Sequence, residues 1–370
     1  MIIKSLRLLA LILAVNLATD AAAVAAGPAD SQAAKAAATV GFNVEKLADG
    51  VFAAVRTDPP GLMVDANSLF IVNDRDVVVV DAPEASAELI AALRKITDKP
   101  VSFLINTHWH DDHVIGNAVW RKAYPEVRFI AQASLREYLP NTGLNNRRQM
   151  IEGAPEFAAQ MQAQTDKGRN LRDEPISEEE RVSYASDIRL AKHYMEVVPG
   201  TETVLPDIDV DEDLILVRGK RRIEVRHLGS GHTRADLVVW LPSERIAATG
   251  DLVVWPVPLV GSDQSHVRDW PGTLDALLAL EPAVLLPGHG PVLHDTEYAR
   301  QERDLFTSID TQVAAAVARG DSLEAARKAV DLSAFRLQFA GESKVRQFAF
   351  GMYVTGPAVE SAYRDATARP

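Results

Sequence analysis

The chain has no cysteine among its 370 residues. This absence excludes disulfides, cysteine nucleophiles, thiolate-held iron–sulfur clusters and zinc sites built on sulfur. Nine histidines and 51 acidic residues remain as sources of metal ligands and acid–base groups. Any metal or proton-transfer chemistry must therefore depend on imidazole and carboxylate.

Basic residues are also fewer than acidic residues. The 39 basic residues are outnumbered by acidic ones, which leaves a formal net charge of −12. A chain this acidic is a poor candidate for binding a phosphate backbone, so we expect a small-molecule substrate and no nucleic-acid partner. Hydrophobic residues make up 47% and charged residues 24%, which excludes disordered, collagen-like and coiled-coil chains.

A long apolar run occurs only near the N-terminus, over residues 8–17. Lys4 and Arg7 precede the run, and the alanine-rich stretch 21–26 offers several small-x-small cleavage sites. This pattern predicts a secretory signal peptide over residues 1–26. A membrane anchor is the alternative, but about ten apolar residues are too few to span roughly 30 Å of hydrocarbon. We expect a periplasmic or secreted protein with no stable membrane anchor after cleavage.

The remaining chain divides by its hydrophobic pattern. Residues 27–40 are small and polar and are typical of a flexible leader, whereas residues 41–297 alternate short β-branched runs with helical segments, typical of a mixed α/β (α+β) domain. Within it, residues 134–204 predict a helical insertion, since strand character is nearly absent there and the apolar content is too thin for a separate domain. Residues 298–370 predict a helical C-terminal extension.

The chemically informative segment is a histidine-rich loop that follows the apolar run 101–105. It presents His108 and His110, which would point the same way in an extended chain, and then Asp112 and His113, which turn toward a second position. One loop at the carboxyl end of a strand can therefore supply ligands to two neighbouring cations. Imidazole and carboxylate favour zinc, with iron or manganese possible.

Three later segments extend the pattern in chain order. They are Gly-His-Thr at 231–233 followed by Asp236, Thr-Gly-Asp at 249–251, and Pro-Gly-His-Gly at 287–290. Together with the histidine-rich loop, they resemble the signature of the metallo-β-lactamase superfamily. The resemblance covers residues 42–132 and 205–295.

The resemblance implies a four-layer αβ/βα sandwich with a helical insertion and two zinc ions as cofactors. It also implies a role for seven side chains. The first ion would be held by His108, His110 and His232, the second by Asp112, His113 and His289, and Asp251 would bridge both.

Such a site indicates metal-assisted hydrolysis, in which a metal-bound hydroxide attacks a carbonyl and Asp112 orients the hydroxide and shuttles its proton. The expected substrate is a small ester, lactone, thioester or amide. Hydrolysis of β-lactam amides is an alternative. Two departures weigh against it: Asp251 stands where one lactamase subclass has cysteine, and Val254 stands where that subclass has a basic residue.

Two further alternatives are a mononuclear iron oxygenase of the same fold and a non-catalytic metal-binding accessory protein. The complete ligand set argues against both. Asp81, which ends a valine-rich run, is a candidate to accept a hydrogen bond from a ligand histidine. The remaining histidines belong to no motif; they are His193, His227, His266 and His294.

Overall fold

A computed structural model describes residues 41–261 and 263–368 of the protein. The predicted signal peptide, residues 1–26, and the predicted leader, residues 27–40, lie outside the described residues. In the described part of the chain, no helix combines the length and the apolar character required to cross a membrane.

The first sheet of the described chain has seven strands that follow one another in chain order. Strands β1 to β4 are antiparallel neighbours, whereas β4 to β7 run parallel. Their carboxyl ends therefore meet at one edge, where loops carry side chains toward a common region. The strands are β1 (Phe42–Ala48), β2 (Val51–Arg56), β3 (Ser68–Val72), β4 (Val77–Val80), β5 (Val101–Ile105), β6 (Arg128–Gln132) and β7 (Ile208–Val210).

The second sheet of the described chain has five strands in the order β12-β11-β10-β9-β8, with β11 and β12 parallel. Strand β11 runs through the Thr-Gly-Asp motif at 249–251 to Val254, with a register shift on each side of Gly250. Gly250 has a φ of 50°, so the strand bends there without ending. The strands are β8 (Asp213–Arg218), β9 (Arg221–Arg226), β10 (Val238–Leu241), β11 (Ile246–Val254) and β12 (Val284–His289).

The helices of the described chain cover the outer faces of both sheets or join their strands. They are α1 (Ser86–Ile96), α2 (Asp111–Val114), α3 (Asn117–Ala123), α4 (Leu135–Tyr138), α5 (Leu144–Asp166), α6 (Glu178–Val197), α7 (Trp270–Leu278), α8 (Glu297–Ala318), α9 (Leu323–Ala329), α10 (Ser333–Ala340), α11 (Lys344–Phe350) and α12 (Gly356–Thr367). Two π-helical turns, Leu139–Gly143 and Gly351–Thr355, lead into α5 and α12.

Three layers of buried apolar side chains hold the sandwich together. Helix α1 presents Leu89 and Leu93 to the outer face of the first sheet, as the helical spacing of these residues predicts. The inner faces of the two sheets pack on each other, with Leu69 and Val239 in the same cluster. Trp270 of α7 belongs to the cluster on the outer face of the second sheet. The α+β class and the four-layer αβ/βα sandwich are therefore confirmed.

The insertion between β6 and β7 is a pair of long helices, α5 and α6, which pack against each other. Ser177 begins α6 with a capping box, because its side chain accepts from the Glu180 amide while the Glu180 carboxylate accepts from the Ser177 amide. Met161 and Tyr184 lie in a small apolar cluster of the pair, and Leu62 from the loop after β2 packs against it. The insertion is thus fastened to a loop near the carboxyl end of the sheets.

Candidate metal centre

The histidine-rich loop leaves β5 at Ile105 and enters the short helix α2. The Asn106 side-chain amide donates to the carbonyl of His113 at 2.8 Å, which closes the loop on itself. His110 has extended backbone angles and directly precedes α2, so the chain turns between His110 and Asp112. This turn sends the two halves of the motif to different positions.

The second half of the molecule delivers three more candidate ligands to the same place. His232 follows β9 in a loop, Asp251 lies inside β11, and His289 is the last residue of β12. Gly288 makes this approach possible, because a Cβ built there would lie 1.9 Å from the Asp251 carboxylate. The structure therefore brings together all seven side chains that the sequence pattern singles out.

Those seven side chains form two groups in which the potential ligand atoms all lie within 4.8 Å of one another. The first group is His108, His110, His232 and Asp251, and the second is Asp112, His113 and His289. This is the division that the resemblance implies, with Asp251 counted in the first group.

Asp251 lies between the two groups, and its two oxygens face opposite ways. Its Oδ2 lies 3.4 Å from His232 Nε2 and 3.9 Å from His108 Nε2. Its Oδ1 lies 3.2 Å from His113 Nε2 and 3.3 Å from His289 Nε2. The carboxylate is therefore placed to bridge two cations, one on each oxygen.

Three of the histidines are oriented by a partner on their other ring nitrogen. His113 Nδ1 lies 2.8 Å from Asp81 Oδ2, and His232 Nδ1 lies 2.8 Å from the Leu259 carbonyl. His289 Nδ1 lies 3.2 Å from a backbone carbonyl, that of Asp65. A partner at Nδ1 fixes the ring and leaves Nε2 for an ion, as in metal-ligating histidines generally.

The residues fit a metal ion, because several buried atoms in the centre have no hydrogen-bond partner. They are the Nε2 atoms of His108, His113 and His289 and the Oδ1 atom of Asp251. Orphaned buried polar atoms are costly, and a cation in each of the two groups would satisfy them. The donor set of imidazole nitrogen and carboxylate oxygen suits zinc.

The imidazoles of the centre have different electrostatic surroundings. Burial lowers the pKa of His110 to about 3. Burial also opposes a charge on His289, but the carboxylates of Asp251 and Asp112 outweigh it and raise the pKa of His289 to about 10. These carboxylates therefore favour positive charge beside them, which a bound cation would supply.

A cluster behind the loop was not indicated by any sequence pattern. Arg147 of α5 donates to both oxygens of Asp111, with Nη2 at 2.6 Å from Oδ1 and Nε at 3.1 Å from Oδ2. The Tyr194 hydroxyl of α6 donates to Asp111 Oδ2 at 2.8 Å. Because Asp111 separates His110 from Asp112, the helical insertion holds the ligand loop directly.

Asn67 joins the first sheet to the last ligand loop. Its side-chain amide donates to the carbonyls of Pro287 and Gly290, each at 2.9 Å, and its backbone amide donates to Gly288 at 2.8 Å. The partners are more than 200 residues away in the chain, and so local sequence could not indicate them.

A cleft that is open to solvent adjoins the centre and has His289 in its wall. Its other walls come from the loop after β2, from residues 254–259, and from the C-terminal extension through Arg346 and Tyr353. Tyr353 donates to the Leu62 carbonyl at 2.6 Å, which fixes one wall to another. The extension is thus part of the site's surroundings.

The histidines without a motif lie outside both groups of candidate ligands. His266 is buried and accepts a hydrogen bond from Arg234 at 3.0 Å. It is not among the residues that line the cleft. His294 is two-thirds exposed and lies 3.7 Å from Glu45.

The fold and the paired histidine–aspartate groups define a metal-binding αβ/βα sandwich protein. A family model described as the metallo-beta-lactamase superfamily matches residues 63–289, more than half of the chain. The chain belongs to the metallo-β-lactamase superfamily.

Individual relatives are distant. The chain is 23% identical over 249 residues to a linear primary-alkylsulfatase of Pseudomonas sp. (strain ATCC 19151), a match that covers 64% of this chain and only 44% of the relative. It is 22% identical over 235 residues to a metallo-beta-lactamase type 2 of Bacteroides fragilis, covering 62% and 70%. Among solved structures, DIM-1 metallo-beta-lactamase is similar with a TM-score of 0.48 and 19% identity, covering 72% of this chain and 98% of that chain.

Proposed function

We propose that the protein is a metal-dependent hydrolase that holds two zinc ions and cleaves a small ester, lactone, thioester or amide. The observation that carries the proposal is the position of Asp251, whose two oxygens face two separate groups of buried histidines, which include the unpartnered Nε2 atoms of His108, His113 and His289. Such an arrangement suits two ions close together, as hydrolases with paired metals use.

When bound, the two ions would supply Lewis-acid polarisation of the substrate carbonyl and a lowered pKa of an attacking water. His108, His110 and His232 would hold one ion, and Asp112, His113 and His289 the other, with Asp251 shared. The protein contributes the fixed geometry, because three of these imidazoles are already oriented by a partner at Nδ1.

Asp112 is the candidate proton carrier. Its side chain keeps 18% of its exposure, and its Oδ2 lies 3.2 Å from His289 Nε2. A carboxylate that reaches both the buried centre and the solvent can accept the proton of the attacking water and pass it to the leaving group.

The relatives widen the choice of substrate. One is named as an alkylsulfatase and another as a β-lactamase, so sulfate esters and β-lactams belong beside carboxylic esters, lactones and thioesters in a substrate survey. The complete set of oxygen and nitrogen ligands favours hydrolysis over the chemistry of a single iron. We further propose export to the periplasm or medium, on the sequence of residues 1–26.

The test begins with metal analysis of purified protein, followed by zinc loading. About two zinc per chain, with turnover of at least one chromogenic ester, thioester, lactone, β-lactam or sulfate ester, is the expected result. One iron per chain with oxygen uptake would contradict the proposal. The variant His110→Ala should lose the activity by at least about a hundred-fold, and activity that survives in it would place catalysis elsewhere.

A further inference from the structure

The wall of the cleft beside the metal centre contains one cationic side chain that forms no ion pair among the described residues. Its acidic residues are matched: Asp58 Oδ2 lies 2.6 Å from Arg56 and also pairs with Arg189, and Asp65 Oδ2 lies 3.5 Å from Arg56. The remaining cation in the wall is Arg346, and among the described residues its guanidinium makes no ion pair or hydrogen bond with another side chain.

Arg346 is nevertheless held in place. Its guanidinium carbon lies 4.8 Å from the centroid of the Trp255 ring, within cation–π range. The Trp255 backbone amide donates to the carbonyl of His289 at 3.1 Å, so the aromatic surface under the guanidinium is joined to a candidate metal ligand. Arg346 is partly exposed, and its guanidinium donates no hydrogen bond to another side chain of the described residues, so its donors remain available to an incoming group.

The rest of the cleft is mainly apolar. Met63 lies in one wall, Val254, Val257 and Leu259 in a second, and Ala349 in a third. A ligand that fits this surface has an apolar body, because apolar surface is the larger part of what it would cover. Its anionic group would meet Arg346 and its scissile bond would meet the metal centre.

From these contacts we propose that Arg346, in the C-terminal extension, is the specificity-determining residue of the cleft. It selects substrates that carry a carboxylate, sulfonate or sulfate on an apolar body, at a distance from the bond that is cleaved. The planar guanidinium forms paired hydrogen bonds with such groups. The inference deepens the proposed function and rests on it for the cleavage step, whereas anion selection is a property of the cleft alone.

Two matched pairs of probes test the role of Arg346 on the zinc-loaded protein. Binding is measured by calorimetry with 3-phenylpropane-1-sulfonate and its neutral analogue 3-phenylpropyl methyl sulfone, neither of which can be hydrolysed by this chemistry. Cleavage is measured with 4-nitrophenyl hemisuccinate and neutral 4-nitrophenyl butyrate. The variants are Arg346→Met, Arg346→Lys and Arg172→Met, the last because Arg172 lies over the Phe348 ring at 5.5 Å but does not line the cleft.

Wild type should bind the sulfonate about ten-fold more tightly than the sulfone, as expected for one charge-assisted contact that is partly exposed to solvent. Arg346→Met should abolish that preference and raise KM for the hemisuccinate about ten-fold while kcat and all butyrate parameters stay within about two-fold. Arg346→Lys should keep part of the preference, and Arg172→Met all of it.

The outcomes separate the two proposals. Equal binding of sulfonate and sulfone by wild type, or a preference that survives in Arg346→Met, overturns the role of Arg346 whether or not esters are cleaved. A preference lost in Arg346→Met, in a protein that cleaves neither ester, supports the role of Arg346 and counts against the proposed hydrolase. Thermal unfolding of each variant, compared with Arg172→Met, excludes a general loss of structure as the cause.

Discussion

Arg147 donates to both carboxylate oxygens of Asp111, and through this contact the helical insertion holds the residue between two candidate metal ligands. The pair is largely buried, with 7% and 15% of the side chains exposed, and Tyr194 donates to the same carboxylate. A buried pair in this position fixes the direction in which the chain turns from His110 to Asp112.

Replacing Arg147 by alanine should therefore weaken both the fold and the metal centre. Loss of one partner leaves a buried carboxylate uncompensated, which we expect to lower the free energy of unfolding by about 3 kcal/mol. Zinc affinity should fall about ten-fold, as is typical when a group that positions metal ligands without contacting the metal is removed. Chemical denaturation and competition with a zinc chelator measure the two effects.

Arg136→Ala is the matched control, because Arg136 of the same insertion pairs with Asp209 at 2.9 Å with about 40% of both side chains exposed. An exposed pair contributes roughly 0–1 kcal/mol, so this variant should change the stability little and the zinc affinity not at all. Equal losses in the two variants would contradict a specific role for the Arg147–Asp111 contact.

Asp81 gives a second prediction, on the orientation of His113. Its φ of 61° is a backbone conformation that asparagine also adopts readily, so Asp81→Asn preserves the strand end. The variant replaces the carboxylate 2.8 Å from His113 Nδ1 by an amide. Zinc affinity should fall by about 10–100-fold. The free energy of unfolding should also fall, by about 1–3 kcal/mol, because the buried Asp81 carboxylate accepts from the amide and the hydroxyl of Thr107 and an asparagine amide has only one oxygen.

Asp76 lies at the opposite end of the same strand, where it pairs with Arg218. Asp76→Asn should therefore leave zinc affinity unchanged. A comparable loss of affinity in both variants would show that the effect of Asp81→Asn comes from the strand and not from the histidine.

The third prediction concerns the number of ions. His289→Ala removes a ligand from the second group while the first group keeps its three histidines and Asp251. We expect zinc bound per chain to fall from about two to about one, measured by elemental analysis after dialysis. His294→Ala, at an exposed position shortly after His289, should retain both ions. A variant His289→Ala that still binds two zinc ions would rule out the assigned second site.

A fourth prediction concerns pH and the loop at the wall of the cleft. Asp187 of α6 accepts from the backbone amides of Leu62 and Met63, both at 2.9 Å. Burial raises the pKa of its carboxyl from 3.8 to about 7, against those two hydrogen bonds, and the Asp58 carboxylate adds to the rise. Tyr184 and Tyr353 are further ionisable groups nearby.

Because the folded-state pKa of Asp187 is raised, the folded protein holds a proton that the unfolded chain releases above about pH 4. The stability from this group is therefore complete below pH 4 and is lost as the pH rises to about 7. Asp187→Asn keeps an oxygen for both amides and removes the charge. Its Tm relative to wild type should rise between pH 5 and pH 8 by a few degrees, and a difference independent of pH would contradict the assignment.

The sequence motifs single out the seven side chains that the structure brings together, for a physical reason. Each candidate ligand belongs to a short motif in a strand or in a loop next to one, so a local pattern such as 287–290 suffices to locate it. The orientation of the groups behind the ligands could not be predicted in the same way. Arg147 and Asp111 are 36 residues apart, and Asn67 and Pro287 are 220 apart. Such contacts depend on how whole elements pack.

The same distinction holds for the fold. Hydrophobic periodicity predicts α1 and the buried strands, because each depends on one face or one run of side chains. The extent of β11 was not predicted, since a glycine inside the strand reads as a strand end. The contribution of the C-terminal extension to the cleft could not be predicted either, because Arg346 carries no motif.

The hydrogen bonds of Asn67 to the loop around His289 have a consequence for the order of folding and metal binding. The candidate ligands are spread along the chain from His108 to His289. The Asn67 side-chain amide can reach the carbonyls of Pro287 and Gly290 only when the two sheets have already packed together. Neither set of ligands is complete in a half-formed chain. We therefore expect the cation to bind after the sheets have packed, so that zinc leaves the refolding rate of denatured protein unchanged while it slows the unfolding of the folded protein.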